Sequence, residues 1–342
     1  MNANTTLKDL ISIPSMNNMD TKIKPEEGYG EKGVCEYIEL FLQKHCIPYE
    51  RQNVLDGRDN IIACFNTNKR KKTIVLQSHM DTVPVSSKNM FNPKENDKFI
   101  YGRGSCDAKA SLASMLEALV KYKDSRGNRI YNIIFAGVVD EEYLHRGVDK
   151  LLENKLVKNA AFGIVGEPTS LNIANNIKGL VRWKIITRGK SVHSSEPEKG
   201  DNAIYKMAEI VSLIKKYERE ILNQKIRTDM GIPTISVGII KGGTAVNMVP
   251  DRCEIEIDRR LLINEDPLNV VQEINSYIKA KSNIEFKSEP PYNIDYPQHI
   301  DKKEQIIKIA EKACKKILGH STVMTANFAC DATKMTRKGI LQ

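Results

Sequence analysis

The stretch TIVLQSHMDTVPV (Thr73 to Val85) begins as a buried β-strand and ends as something else. Thr73 to Leu76 are β-branched or aliphatic, the composition of a strand covered on both faces. At its far end the run presents His79 and Asp81, two positions apart and therefore on one side of an extended chain. An imidazole and a carboxylate at the end of an apolar strand place polar chemistry at a sheet edge, where side chains leave the core and meet solvent.

Outward from this stretch, similar apolar runs recur at 60–65, 131–139 and 160–165, with helical patterns at 31–45, 109–123 and 147–156. Strands alternating with helices predict a central sheet covered by helices. From residue 180 the order changes. Strand 180–188, helix 203–222, strands 234–240 and 252–260, helix 267–280 and strand 283–287 spell β-α-β-β-α-β, the ferredoxin-like order. The expected organisation is an α/β catalytic domain of residues 1–179 and 291–342, with an inserted ferredoxin-like α+β domain of residues 180–290. The proline-containing segment 288–298 is the return path, leading to a helix at 303–318.

The composition narrows the function. The 342 residues carry 52 Lys and Arg against 43 Asp and Glu, a net charge of +9. The basic residues are dispersed, and the densest run, KRKK at 69–72, falls in a polar turn, so no nucleic-acid partner is expected. No apolar run has the roughly 18 residues of a membrane span, and the polar start MNANTTLKDL is unlike a secretory signal, so neither membrane nor export is expected and the cytoplasm is. The seven cysteines form no CxxC pair, which argues against a disulfide framework or a thiolate metal site.

Acidic residues gather where strands end. DEE (Asp140, Glu141, Glu142) closes the run at 131–139, GEPT brings Glu167 to the end of another, and YGRGSCDAK sets Asp107 before the helix at 109. One aspartate before a helix is ordinarily a cap. Four such positions and a histidine at one sheet edge are different, because carboxylates buried together need compensating cations. Imidazole and carboxylate ligands without thiolate suit an open zinc site, with cobalt or manganese as substitutes.

SHMDTVPV, YGRGSCDAK, DEE, GEPT, RGKSVHSSEPEKGDNAI and GGTAVNMVPDRCEIEIDRR resemble, in the same order, the motifs of the dinuclear zinc amidohydrolases and peptidases. That family includes acetylornithine deacetylase, succinyl-diaminopimelate desuccinylase, the aminoacylases and several di- and carboxypeptidases. The resemblance implies a zinc-peptidase-like catalytic domain with a lid and dimerisation domain, and two Zn2+ per full-length chain. It makes His79 and Glu167 ligands of one metal, Asp107 the bridge, Glu142 a ligand of the other metal and Asp81 the residue behind His79. Glu141 becomes the general base. His193 becomes the histidine that stabilises the oxyanion, often from a partner chain, and Asn247 and Arg260 hold the substrate, with Arg259 adjacent. The implied reaction is hydrolysis of an amide bond, most simply deacylation of an N-acyl amino acid by a homodimer. Cleavage of a dipeptide or a C-terminal residue is the alternative within the family, and a non-catalytic metal- or ligand-binding homologue the alternative outside it.

Two departures stand out. The family has a last metal-ligand histidine near its C-terminus, whereas no histidine here lies beyond His320. The expectation is that the final strand and ligand are missing and that this form binds at most one metal tightly. His145, three residues after Glu142, is the candidate substitute, against the commoner role of an exposed helix histidine. In TANFACDATKM, Asp331 matches the family, but Thr333 stands where an arginine often binds a substrate carboxylate.

Overall fold

The computed structural model describes residues 2–17, 28–65, 68, 71–127, 129–222, 224 and 228–341. Residues 69 and 70 of the basic KRKK run lie outside this set. The chain forms two units. The first comprises Met1–Ile173, Ile300–Val323 and Cys330–Gln342, and the second Ala174–His299 and Met324–Ala329.

The first unit opens with α1 (Ala3–Ser12), α2 (Lys32–Lys44), β1 (Tyr49–Leu55), β2 (Arg58–Phe65) and β3 (Thr73–His79). A small hairpin of β4 (Lys94–Glu95) and β5 (Ile100–Tyr101) precedes α3 (Lys109–Asp124), β6 (Asn132–Val138), α4 (Arg146–Leu151) and β7 (Phe162–Val165). The sheet order is β1-β2-β6-β3-β7. β3 runs parallel to both β6 and β7, while β2 is antiparallel to β6 and to β1. The continuous apolar runs are explained by burial on both faces. Ile61, Ala63, Ile133 and Phe135 pack with Leu10, Ile38, Leu112 and Leu116 of α1, α2 and α3. Their neighbours Ile62, Val75, Ile134 and Ala136 pack with Val148 and Leu151 of α4 and with Met335. Each fully buried aliphatic or phenyl group contributes about 1.5–3 kcal/mol relative to exposure. Register then aligns the strand ends: His79 lies opposite Val138, and Gln77 opposite Val165, so the segments after all three strands leave the sheet at one edge.

The second unit contains β8 (Ile173–Ile177), β9 (Gly179–Arg188), α5 (Ala203–Tyr217), β10 (Thr234–Gly242), β11 (Arg252–Leu261), α6 (Pro267–Lys281), β12 (Phe286–Ser288), β13 (Asn293–Asp295) and β14 (Gln298–His299). α7 (Gln305–Leu318) belongs to the first unit, β15 (Val323–Ala326) largely to the second, and α8 (Ala332–Arg337) again to the first. The β10-β11-β9-β12 sheet is antiparallel throughout and has the ferredoxin-like order. Its helices start on side-chain caps: Asn202 accepts the amides of Ile204 and Tyr205, and Asp266, ahead of Pro267, accepts those of Leu268 and Asn269. Trp183, Ile185, Met207, Ile210, Ile255, Ile257 and Ile274 form the core between sheet and helices. The helix expected over 203–222 is regular only to Tyr217 and continues as a π-helical turn over Glu218–Leu222. β8, β14 and β15 form a further three-stranded sheet, which draws residues 174–179, 291–299 and 324–329 into the second unit.

Candidate metal centre

Four segments of the first unit meet at the sheet edge, each held by backbone before any side chain acts. Met80 donates its amide to Val138, and Gly166 donates to Gln77, so the ends of β3, β6 and β7 are laced together. A Cβ on Gly166 would lie 2.3 Å from that of Ser111, so only glycine lets the Glu167 segment approach α3. The segment after β6 bends sharply. Asp140 and His145 both have left-handed backbones (φ 68° and 57°), and the His145 amide donates to the Asp140 carbonyl at 2.8 Å, closing a loop that carries Glu141 and Glu142. Gly147 permits the closure, because a Cβ there would stand 2.1 Å from the Val139 carbonyl oxygen.

His79, Asp107 and Glu167 converge, with one ligand atom from each lying within 4.8 Å of the others. His79 is buried, and its Nδ1 donates to the Asp81 carbonyl at 2.9 Å, a partner that only accepts and therefore fixes the tautomer. Nε2 is left facing Asp107 Oδ1 at 3.0 Å. That is how a metal-ligating histidine is oriented, with one nitrogen held by an acceptor and the other free to coordinate. The Asp107 side chain is half exposed, and Glu167 Oε1 is buried without a hydrogen-bond partner. Burial pushes the Glu167 carboxyl up to about 8, against the attraction of His79. Burial works against a charged His79, yet hydrogen bonds to Asp107 and Asp81 hold its pKa well above the usual value. An orphaned carboxylate oxygen and an imidazole nitrogen facing a carboxylate fit a divalent cation, which would satisfy all three groups together.

Glu142 is not part of that trio. Its carboxylate accepts the Val83 amide at 3.2 Å, and burial raises its pKa to about 7. Asp81 is fully buried and does more than lie behind His79. Its carboxylate accepts the amides of Glu141 (3.2 Å) and Glu142 (3.0 Å) and the Asn17 side-chain amide (2.7 Å), while the His79 ring is 3.5 Å away. Burial would raise its pKa, but these bonds and the His79 charge hold it at about 2. Glu141 is pushed well above the carboxylate range, first by burial and then by the charge of Glu167.

Behind the loop lies a buried network that the motifs do not announce. Arg58 pairs with both oxygens of Glu31 and approaches Asp140 at 3.3 Å; Asp140 also accepts from Arg146 and, at 3.2 Å, from Asn17. Burial pushes Glu31 up to about 7 even beside the Arg58 guanidinium. Arg58 lies 27 positions from Glu31 and 82 from Asp140, and Asn17 lies 123 from Asp140, so no local pattern marks these pairs.

His145 corrects an expectation. It is 4% exposed and precedes α4 in a left-handed turn, so it neither lies on a helix face with Glu142 nor faces solvent. It joins Glu141 and Asp331 instead, in a second trio whose ligand atoms lie within 4.8 Å of one another. Thr333 is also buried, its hydroxyl donating to the Cys330 carbonyl.

The remaining candidates belong to the second unit. His193 and Asn247 are exposed; His193 pairs with Met248 in a β-bridge, the Ser194 amide donates to the Asn247 carbonyl, and His193 Nδ1 lies 2.7 Å from Ser195 Oγ. Arg260 is tied to Asp258 at 2.8 Å, whereas Arg259 is fully buried against Glu265.

Comparison with known proteins gives this arrangement relatives. Residues 175–284 match the peptidase dimerisation domain, and residues 60–178 match peptidase family M28. A probable carboxypeptidase of Aspergillus clavatus is 29% identical over 298 residues, covering 81% of this chain and 67% of that protein. The acetylornithine deacetylase of Myxococcus xanthus is 28% identical over 246 residues, covering 69% and 63%. The chain thus spans about two thirds of the length of these relatives. An M20 family metallo-carboxypeptidase from Sulfolobus solfataricus shares the fold, with a TM-score of 0.77, 20% identity and coverage of 99% of this chain and 90% of that one. The peptidase dimerisation model over residues 175–284 and the carboxypeptidase and acetylornithine deacetylase relatives support the resemblance read from the motifs, to the dinuclear metallopeptidases and amidohydrolases of family M20.

Proposed function

We propose that the protein hydrolyses an amide bond whose leaving amine is an amino acid, and that its substrate is an N-acyl amino acid. The observation that carries this reading is the placement of Glu141: Asp81, two residues after His79, holds the loop that carries it by its main-chain amides, and its carboxylate is buried within reach of the charges of Glu167 and His79. His79, Asp107 and Glu167 would hold one ion, and Glu142 with Asp107 the other. Bound zinc supplies Lewis acidity toward the scissile carbonyl and acidifies water. Glu141 takes a proton from the attacking water as the oxygen–carbon bond forms, and returns it to the amine as the carbon–nitrogen bond breaks. Asp81 holds the loop by its amides, so Glu141 can change protonation state without moving its mount. His193 donates to the developing oxyanion, and Asn247 and Arg260 hold the carbonyl and carboxylate of the substrate.

Removal of a C-terminal residue from a short peptide is the second reading, favoured by the probable carboxypeptidase among the relatives. Both reactions release an amino acid, and they differ in what lies on the acyl side. We also infer a homodimer through the second unit. β10 is an edge strand of its sheet and exposes Ile239 and Ile240, and α5 exposes Tyr205. Seven cysteines, all free, agree with a reducing cytoplasm. Among the described residues, no helix is long and apolar enough to cross a membrane.

The test is a hydrolysis panel of N-acetyl and N-succinyl amino acids beside dipeptides and tripeptides, run after chelation and after zinc restoration. Zinc-dependent release of amino acid from the acyl substrates is expected. Turnover of peptides only would favour the second reading, and turnover unaffected by chelation would remove both.

A further inference from the structure

We propose that Glu141, His145 and Asp331 form a second cation site of the first unit, beside the His79–Asp107–Glu167 trio, taking a small first-row divalent ion such as zinc or cobalt. Three observations converge on it. The first is that Asp331 stands where a helix cap belongs, immediately before α8, and does not cap. Its side chain makes no capping hydrogen bond; it is fully buried and turned inward, where His145 Nδ1 meets Oδ1 at 2.9 Å and Gln77 Nε2 donates to Oδ2 at 2.7 Å. Its ordinary use is therefore replaced by a second-layer bond from β3 and an imidazole, the setting of a ligand carboxylate.

The second observation is the backbone of His145. A left-handed conformation is uncommon for a residue with a Cβ. Here it is held by the hydrogen bond that the His145 amide donates to the Asp140 carbonyl, and the imidazole is buried rather than carried outward on α4. The third is that two carboxylates face one ring nitrogen. His145 Nδ1 lies 2.9 Å from Asp331 Oδ1 and 3.8 Å from Glu141 Oε1. A single N–H reaches Asp331 and leaves Glu141 beyond hydrogen-bond distance. Among the described residues the Glu141 carboxylate accepts no hydrogen bond, although the side chain is only 10% exposed. A divalent ion serves all three groups at once. Zinc–ligand bonds of about 2.0–2.2 Å set adjacent ligand atoms of a tetrahedron roughly 3.3–3.5 Å apart, and 2.9 and 3.8 Å bracket that spacing. One nitrogen and two carboxylates leave a fourth position open, a donor set that selects zinc, cobalt or manganese over soft ions.

The site shares Glu141 with the proposed reaction. A cation held there takes up the carboxylate that would accept the water's proton, so metal beyond the catalytic complement should inhibit. That consequence rests on the hydrolase reading; binding does not.

The test uses the full chain with His79→Ala and Asp107→Ala, which dismantles the first trio. Cobalt is titrated and followed by its visible ligand-field absorption, in this background and with His145→Gln, Asp331→Asn or Glu141→Gln added. We expect one four-coordinate cobalt per chain in the background. Each added substitution should weaken it by at least the roughly 10–100-fold that loss of an outer-layer partner costs a metal site. Circular dichroism accompanies each variant, and should the substitutions at 145 or 331 fail to fold, Glu141→Gln decides the matter. No cobalt bands in the folded background, or bands indifferent to Glu141→Gln, would overturn the site. Cobalt binding of this kind, together with an unsubstituted chain that turns over no substrate after zinc restoration, keeps the site and removes the hydrolase reading instead.

Discussion

The candidate residues of the two units are built on opposite terms. At the edge of the first sheet, His79 and Asp81 are almost fully buried, and partners from distant segments fix Asp81 and the loop that carries Glu141 and Glu142. In the second unit, His193 and Asn247 are exposed, and the bonds around them come from the loops 192–201 and 245–249. The first arrangement is preorganised by the fold, with charge placed where burial makes it costly and therefore strong. The second costs the fold little, because its bonds are short-range and solvent-facing. Chemistry that needs rigid electrostatics suits the first region, and adjustable substrate contacts suit the second.

This contrast can be broken by substitution. The largest effect is expected at the proposed base. Glu141→Gln should lower the turnover number by roughly 10²–10⁴, the range for loss of a general base, while zinc content under catalytic loading stays unchanged. Loss of metal together with activity would mean that Glu141 and Glu142 have exchanged roles. Next comes the network beneath. Arg58→Ala strands the buried Glu31 without its cation, leaves Asp140 to Arg146 alone, and should cost about 3–5 kcal/mol of unfolding free energy, read from denaturant melts. A loss below about 1 kcal/mol would make the buried edge no more preorganised than a surface ion pair.

His193→Ala should behave in the opposite way, lowering the turnover number by roughly 10²–10³ as for one oxyanion donor. Stability should move by no more than about 0.5 kcal/mol, as expected for an exposed residue. A melting shift as large as that of Arg58→Ala would erase the distinction between the regions. The smallest effect on the fold is expected for Ile240→Lys on the edge strand β10. Sedimentation should report a shift from dimer to monomer with unaltered zinc content. A dimer that persists would place the contact elsewhere.

The second unit's order was legible from periodicity, since β9, β10 and β11 and helices α5 and α6 are amphipathic or apolar runs bounded by turn residues. The strand ends at His79, Glu142 and Glu167 were legible because chemistry-bearing residues interrupt apolar runs. β1, YERQNVL, was not, because an edge strand with polar residues lacks the pattern that burial imposes. Nor were the short strands β8, β13, β14 and β15, whose pairing is set by the path of the chain. The Arg58–Glu31–Asp140 network had no signal, since ion pairs across such separations leave no spacing rule. His145 was misread because helical spacing from Glu142 assumes a helix that begins only at Arg146, one residue too late.

The clasp between Asp81 and the amides of Glu141 and Glu142 has a consequence for engineering. A carboxylate that grips main-chain N–H groups is indifferent to what the gripped residues carry. The loop is therefore a socket whose two inserts can be exchanged without reshaping it. Libraries randomised at positions 141 and 142 should return mostly folded proteins, whereas the same effort spent on Asp81 or Asp140 should return mostly aggregates. New reactivity is most cheaply sought by changing what the socket holds and leaving alone what holds the socket.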